Sequence, residues 1–146
     1  MCRSLKENIG GTLTFGKPRY NHKFEYELLR LCYLPEVTIV GGSAKLFKSF
    51  IISDKCPKSI VSYCDNAKFK GHVYTYLGFT CAEKGSPSKH WSKGRHHITD
   101  NLLRQRGYDQ LFGTNFGKGT SNEELMLQNG WLPIYDCGQA RYEWRR

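Results

Sequence analysis

Residues 37–51 read VTIVGGSAKLFKSFI, and the apolar period changes inside them. Val37, Ile39 and Val40 lead as a strand would into Gly41-Gly42-Ser43-Ala44, after which Leu46, Phe47, Phe50 and Ile51 recur at helical spacing. A strand, a glycine turn and a helix in immediate succession draw a chain toward alternating α/β layering, because strand and helix must each bury an apolar face. The turn also carries chemistry. Glycines let main-chain N–H groups approach an anion closely, and a helix N-terminus adds partial positive charge. Gly41, Gly42, Ser43 and Ala44 are therefore candidates to cradle a pyrophosphate. The plainer alternative is a tight turn with Ser43 capping the helix.

The flanking segments extend the alternation. GTLTF, residues 11–15, alternates like a strand and is broken by Gly16-Lys17-Pro18. Residues 26–33 contain Leu28, Leu29, Leu31 and Cys32, an almost continuous apolar run that suits a strand buried on both faces. SIVSY, residues 59–63, is a short apolar strand, with Asp65-Asn66 as a cap for the short helix after it. Residues 72–77 read as that helix, stopped by Gly78, and FTCA, residues 79–82, as strand. Residues 83–95 are polar and rich in Gly, Pro and Ser, which predicts an exposed loop or loose hairpin. A helix is expected over 99–106 with Thr99 as N-cap, a glycine-rich loop over 113–121, and a helix over 122–129 with Glu123 and Glu124 in its first turn and Gly130 as its stop. The tail, 131–144, reads as a strand pair turning at Cys137-Gly138-Gln139. With 146 residues, no repeat and no linker, the expectation is one α/β (α+β) domain over 1–146, with a mixed, twisted central sheet flanked by helices.

Location and partners are bounded by composition. No run approaches the roughly 18 apolar residues needed to span a bilayer, and MCRSLKENIGG lacks an apolar signal core, so no membrane association and a cytoplasmic location are expected. The six cysteines sit singly in apolar segments, which predicts mostly buried, reduced thiols. Twenty-two Lys and Arg against 13 Asp and Glu give a net charge of +9, which favours polyanions such as nucleic acid. Lys89, His90, Trp91, Lys93, Arg95 and His97 form a basic stretch around one aromatic, in which cations would find phosphates and Trp91 would stack on an extruded base. Arg104, Arg106 and Lys118 extend it. An ordinary solvated loop is the alternative. His90, His96 and His97 lack metal-ligand spacing, and no metal is expected.

The succession VTIVGGSAKLF, SIVSYCDN, GHVYTYLGF resembles the acyl-CoA-binding core of GNAT acyltransferases, in which a glycine-containing turn holds the cofactor pyrophosphate. Together, EYELLRLC, GGSAKLFK, IVSYCD, GHVYTYLGF and IYDCG resemble a phage family of small proteins and GNAT-like domains associated with homing endonucleases. In looser form the pattern resembles the Mom-type proteins that modify adenine in bacteriophage DNA. The likeness runs over residues 11–138. It departs from typical GNAT members in reading VGGSA where they carry Arg or Gln ahead of spaced glycines, and in a curtailed N-terminal part.

The resemblance implies a transferase using acetyl-CoA or a related acyl-CoA held by Val40, Gly41, Gly42, Ser43, Ala44 and Lys45, with DNA as acceptor, and it picks out Arg30, Ser43, Asp65 and Tyr74 as site residues. Asp65 would orient or deprotonate an amine, or else cap a helix; Tyr74 would protonate a leaving thiolate, or else pack on the sheet. Arg30 needs an anion, either Glu27, Asp65 or a bound phosphate. Two other functions are compatible with the same residues: acylation of another amine, on aminoacyl-tRNA or protein, and a nucleic-acid-binding accessory module without catalysis.

Overall fold

A computed structural model describes residues 10–113 and 121–146, so Cys2, Lys118 and most of the glycine-rich loop expected over 113–121 lie outside the described residues. The chain is α+β and forms two compact units, one from residues up to Gly85 and from Gln139 onward, the other from Ser86–Gly138.

The first unit is built on a mixed five-stranded sheet. Its elements are β1 (Gly11–Gly16), β2 (Tyr26–Tyr33), α1 (Gly42–Ile51), β3 (Ser59–Asp65), α2 (His72–Tyr76), β4 (Thr80–Lys84) and β8 (Gln139–Arg145), with strand order β1-β2-β3-β8-β4. Only β2 and β3 are parallel. Because side chains alternate along a strand, Ile60 and Cys64 of β3 and Ala140 and Tyr142 of β8 point into one core, which Phe47 of α1 and Leu77 and Phe79 after α2 complete. Phe50 of α1 stacks on Phe15 at 3.6 Å between ring centroids. Each such buried side chain contributes roughly 1.5–3 kcal/mol. Across the sheet, the segment between β1 and β2 sets Tyr20 against Tyr63 and Phe24 beneath the Arg145 guanidinium.

The second unit contains β5 (Lys89–Lys93), β6 (His96–Thr99), α3 (Asp100–Phe112), α4 (Asn122–Gln128) and β7 (Leu132–Tyr135), with an antiparallel sheet ordered β6-β5-β7. Trp91, Leu103, Met126 and Trp131 form its core. Thr99 caps α3 by accepting the Leu102 N–H, Ser121 caps α4 by accepting the Glu124 N–H, and Gly107 interrupts α3.

Several expectations change. Residues 37–40 are not a strand; β2 ends at Tyr33 and irregular chain leads to α1. β2 is buried only near its start, with Leu29, Arg30 and Cys32 exposed, because it leaves its parallel neighbour after two residue pairs. The tail strands do not pair with each other: β7 joins β5, whereas both edges of β8 are filled by β3 and β4. Of the five described cysteines only Cys64 is buried. Among the described residues no helix is long and apolar enough to cross a membrane.

Candidate functional site

One concavity of the first unit arises where its parallel pair of strands parts. β2 and β3 match only at Tyr26 with Ile60 and Glu27 with Val61, and the buried Ser62 hydroxyl then donates to the Leu28 carbonyl at 2.9 Å. Beyond that bridge the strands part. β2 stays paired with β1 out to Tyr33, and among the described residues no strand pairs with the edge it turns toward β3 from Leu29 onward. The parting makes a cleft of about 700 Å³, lined by residues of β2, the end of β3, the following turn and α2. In open sheets the carboxyl ends of parallel strands are where ligands commonly sit.

Arg30, Asp65 and Tyr74 all line this cleft. Tyr74 is half-buried, its ring stacked on Tyr142 at 4.8 Å and its hydroxyl donating to the Tyr63 carbonyl at 3.3 Å. Burial pushes its phenol above the ordinary value, only partly offset by a hydrogen bond with Ser62. The hydroxyl is thus held as a neutral hydrogen-bond donor. Asp65 does not cap α2, whose N-cap is Gly71; its Oδ1 accepts the Ala67 N–H at 2.9 Å and its Oδ2 lies 3.7 Å from Lys68. Neither proposed carboxylate serves Arg30. Buried Glu27 is paired with Arg19, Asp65 with Lys68, and Arg30 is exposed with no ion pair among the described residues.

Val40, Gly41, Gly42, Ser43, Ala44 and Lys45 do not line the cleft, but Gly42 packs against Tyr33, which does. A Cβ at Gly42 would lie 3.0 Å from the Tyr33 hydroxyl. Gly41 is the N-cap of α1 in a left-handed conformation (φ 69°), with open space where a side chain would go. Ser43 is thus inside the helix and not its cap. The N-terminus of α1 has no side-chain cap and no acidic residue in its first turn, and Lys45 adds a cation there. Such an end has unsatisfied N–H groups and uncompensated positive dipole, which suits an anion.

The basic stretch of the second unit is mostly internal structure. Trp91 is 1% exposed and its indole N–H points to Asp100, so it cannot stack on a base; strand alternation turns it into the core. Lys89 lies over the Trp91 ring and pairs with Glu123 at 2.8 Å, Lys93 donates to the Asn129 carbonyl, His90 meets Asp136 and Arg104 meets Asp100. His97 stacks on His90, and of this set Arg95 and Arg106 are exposed with neither an ion pair nor another such contact among the described residues. Six of the 22 Lys and Arg, against five of the 13 Asp and Glu, fall in 86–138, so the positive surplus belongs to the rest of the chain. Among the described residues no three His, Cys, Asp or Glu side chains are grouped to hold a metal.

Sequence reading passed over Ser62, Tyr33 and the turn Lys68-Phe69-Lys70-Gly71-His72, all of which shape the cleft. The signal for the turn was present: an aromatic between two lysines, directly after a strand. No protein-family model matches the chain, and no curated protein matches it.

Proposed function

We propose that the chain is an acyl-CoA-dependent transferase of the GNAT type that modifies DNA, with the exocyclic amine of adenine as acceptor. One observation carries the reading: a parallel strand pair parts into a large cleft directly beside a helix N-terminus that has neither cap nor acid. The residues suit an acyl-CoA. Gly41 leaves room for a pyrophosphate at the α1 N–H groups, and the open edge of β2 offers hydrogen-bond partners to an amide-bearing arm. When bound, the cofactor would supply a thioester carbonyl whose C–S bond is exchanged for a C–N bond, releasing one proton from the attacking amine and coenzyme A as a thiolate that takes its proton from solvent. Tyr74 supplies a hydrogen bond from its neutral hydroxyl, and Asp65, the carboxylate lining the cleft, accepts the amine proton while Ala67 and Lys68 fix its orientation. Arg30 meets a phosphate.

The test uses Gly41→Asp. Asp tolerates the left-handed conformation better than most residues and sits well at a helix start, so the fold persists while its charge repels a pyrophosphate. Acetyl-CoA at about 100 times its Kd should stabilise the parent by about 2.7 kcal/mol and the variant by almost nothing. Mass spectrometry of nucleosides from DNA incubated with the protein and acetyl-CoA should show acylated adenine; acylation of tRNA or protein with unchanged DNA would reassign the acceptor. The internal bonding of Tyr74 and Asp65 favours a second reading, a binding module without catalysis. Full turnover in both Asp65→Asn and Tyr74→Phe would remove these residues from the mechanism.

A further inference from the structure

We propose that the turn from Lys68 to His72, together with Arg30 in the same cleft, is a docking surface for single-stranded nucleic acid. The inference rests on the reading of the cleft as the place where an acceptor base is modified, and it names where that acceptor enters. Phe69 is 67% exposed, although its backbone is fixed: its N–H donates to the Asp65 carbonyl at 3.0 Å and its carbonyl accepts from the Cys64 thiol. A large ring held outward on a firm turn is a stacking platform. Exposed Lys68 and Lys70 flank it, His72 comes next, and Arg30 adds a cation with no protein carboxylate among the described residues. Among the described residues, Asp65 is the single acidic group lining this cleft. Sixteen Lys and Arg against eight Asp and Glu lie in the parts of the chain outside 86–138, so the attraction for phosphates centres on this unit. The partner is a single strand because a duplex hides the base faces that an exposed ring would stack on.

Fluorescence anisotropy of a short labelled oligothymidylate, titrated with salt, tests the surface. Phe69→Ala should weaken binding roughly 5- to 150-fold with the salt slope unchanged, and Phe69→Leu, which keeps bulk but loses the aromatic face, should weaken it too. Lys68→Ala with Lys70→Ala should reduce the slope by about 1.4, two phosphate contacts on a single strand. Arg95→Ala in the β5–β6 hairpin should change neither. Parent-like binding by both the Phe69 and the lysine variants would overturn the proposal, as would transfer of the slope change to Arg95→Ala. Base and phosphate also occur in coenzyme A. If Phe69→Ala weakens acetyl-CoA stabilisation as much as oligonucleotide binding, the surface holds the cofactor's nucleotide and the proposal fails. Intact acetyl-CoA stabilisation in Phe69→Ala with lost oligonucleotide binding supports it, whatever Gly41→Asp does to the acyl-transfer reading.

Discussion

Phe69 and Trp91 each stand between two lysines, and the molecule uses the two combinations in opposite ways. Lys68-Phe69-Lys70 is contiguous and lies in a turn, where ring and cations all reach solvent. In Lys89-His90-Trp91-Ser92-Lys93 the lysines are two residues away along a strand, on the same face as the ring. There Lys89 covers the indole, 4.4 Å from the Trp91 ring centroid, and Lys93 is tied to the Asn129 carbonyl. Basic residues interleaved with an aromatic therefore mean different things at different spacings. At two-residue spacing on a strand they are drawn into internal contacts around a core residue, and in a turn they can frame a platform.

The sharpest way to break this contrast is truncation of each ring. Trp91→Ala should cost about 3–5 kcal/mol, read as lost hydrogen-exchange protection in 86–138, because it empties the centre of that unit's core. Phe69→Ala should change stability by no more than about 0.5 kcal/mol in chemical denaturation; a large loss there would mean the ring is structural. Next in size is Gly71→Ala. Gly71 has φ 74°, and an added Cβ would collide with the Tyr142 side chain, which stacks on Tyr74. The strained conformation and the overpacking together should cost about 2–4 kcal/mol by the same denaturation assay, and near-parent stability would show that the turn is not held as described. Ser62→Ala, which strands the Leu28 carbonyl where β2 and β3 part, should cost about 1–3 kcal/mol. An unchanged midpoint would remove that hydrogen bond as the anchor of the cleft.

The smallest effect is a pH dependence. Asp136 accepts the Ser88 and Gly138 N–H groups and meets His90, and these contacts hold its carboxyl below the usual value of 3.8. A depressed native value means that its contribution is complete above the unfolded value and is lost as pH falls through the native one. Acid titration of unfolding should show a shallower low-pH decline in Asp136→Asn than in the parent, and parallel curves would remove Asp136 from the acid limb.

Much of the element order was legible because local periodicity and caps act locally. The spacing of Leu46, Phe47, Phe50 and Ile51 marks α1, and Thr99 satisfies an N–H at the start of α3 as expected of an N-cap. What failed depends on contacts distant in sequence. Whether 37–40 pairs, how far β2 runs beside β3, and which strands accept β7 and β8 are decided by partners 30 or more residues away. The site divides in the same way. Arg30, Asp65 and Tyr74 converge on one cleft, whereas the role expected of Trp91 fails because strand parity placed it inside.

The 53 residues of Ser86–Gly138 interrupt the chain between β4 and β8, whose pairing continues to the point where Gly85 donates to Gln139. As a loose thread, a loop of that length would charge β4–β8 closure about 3.5 kcal/mol of chain entropy, from the logarithmic dependence on loop length. Ser88 and Asp136, joined through two hydrogen bonds near the unit's two ends, already hold that thread shut when 86–138 is folded. The inserted unit thus lends rigidity to the edge of the first sheet through connectivity alone, and loosening the Ser88–Asp136 clasp should be felt first as fraying of β4.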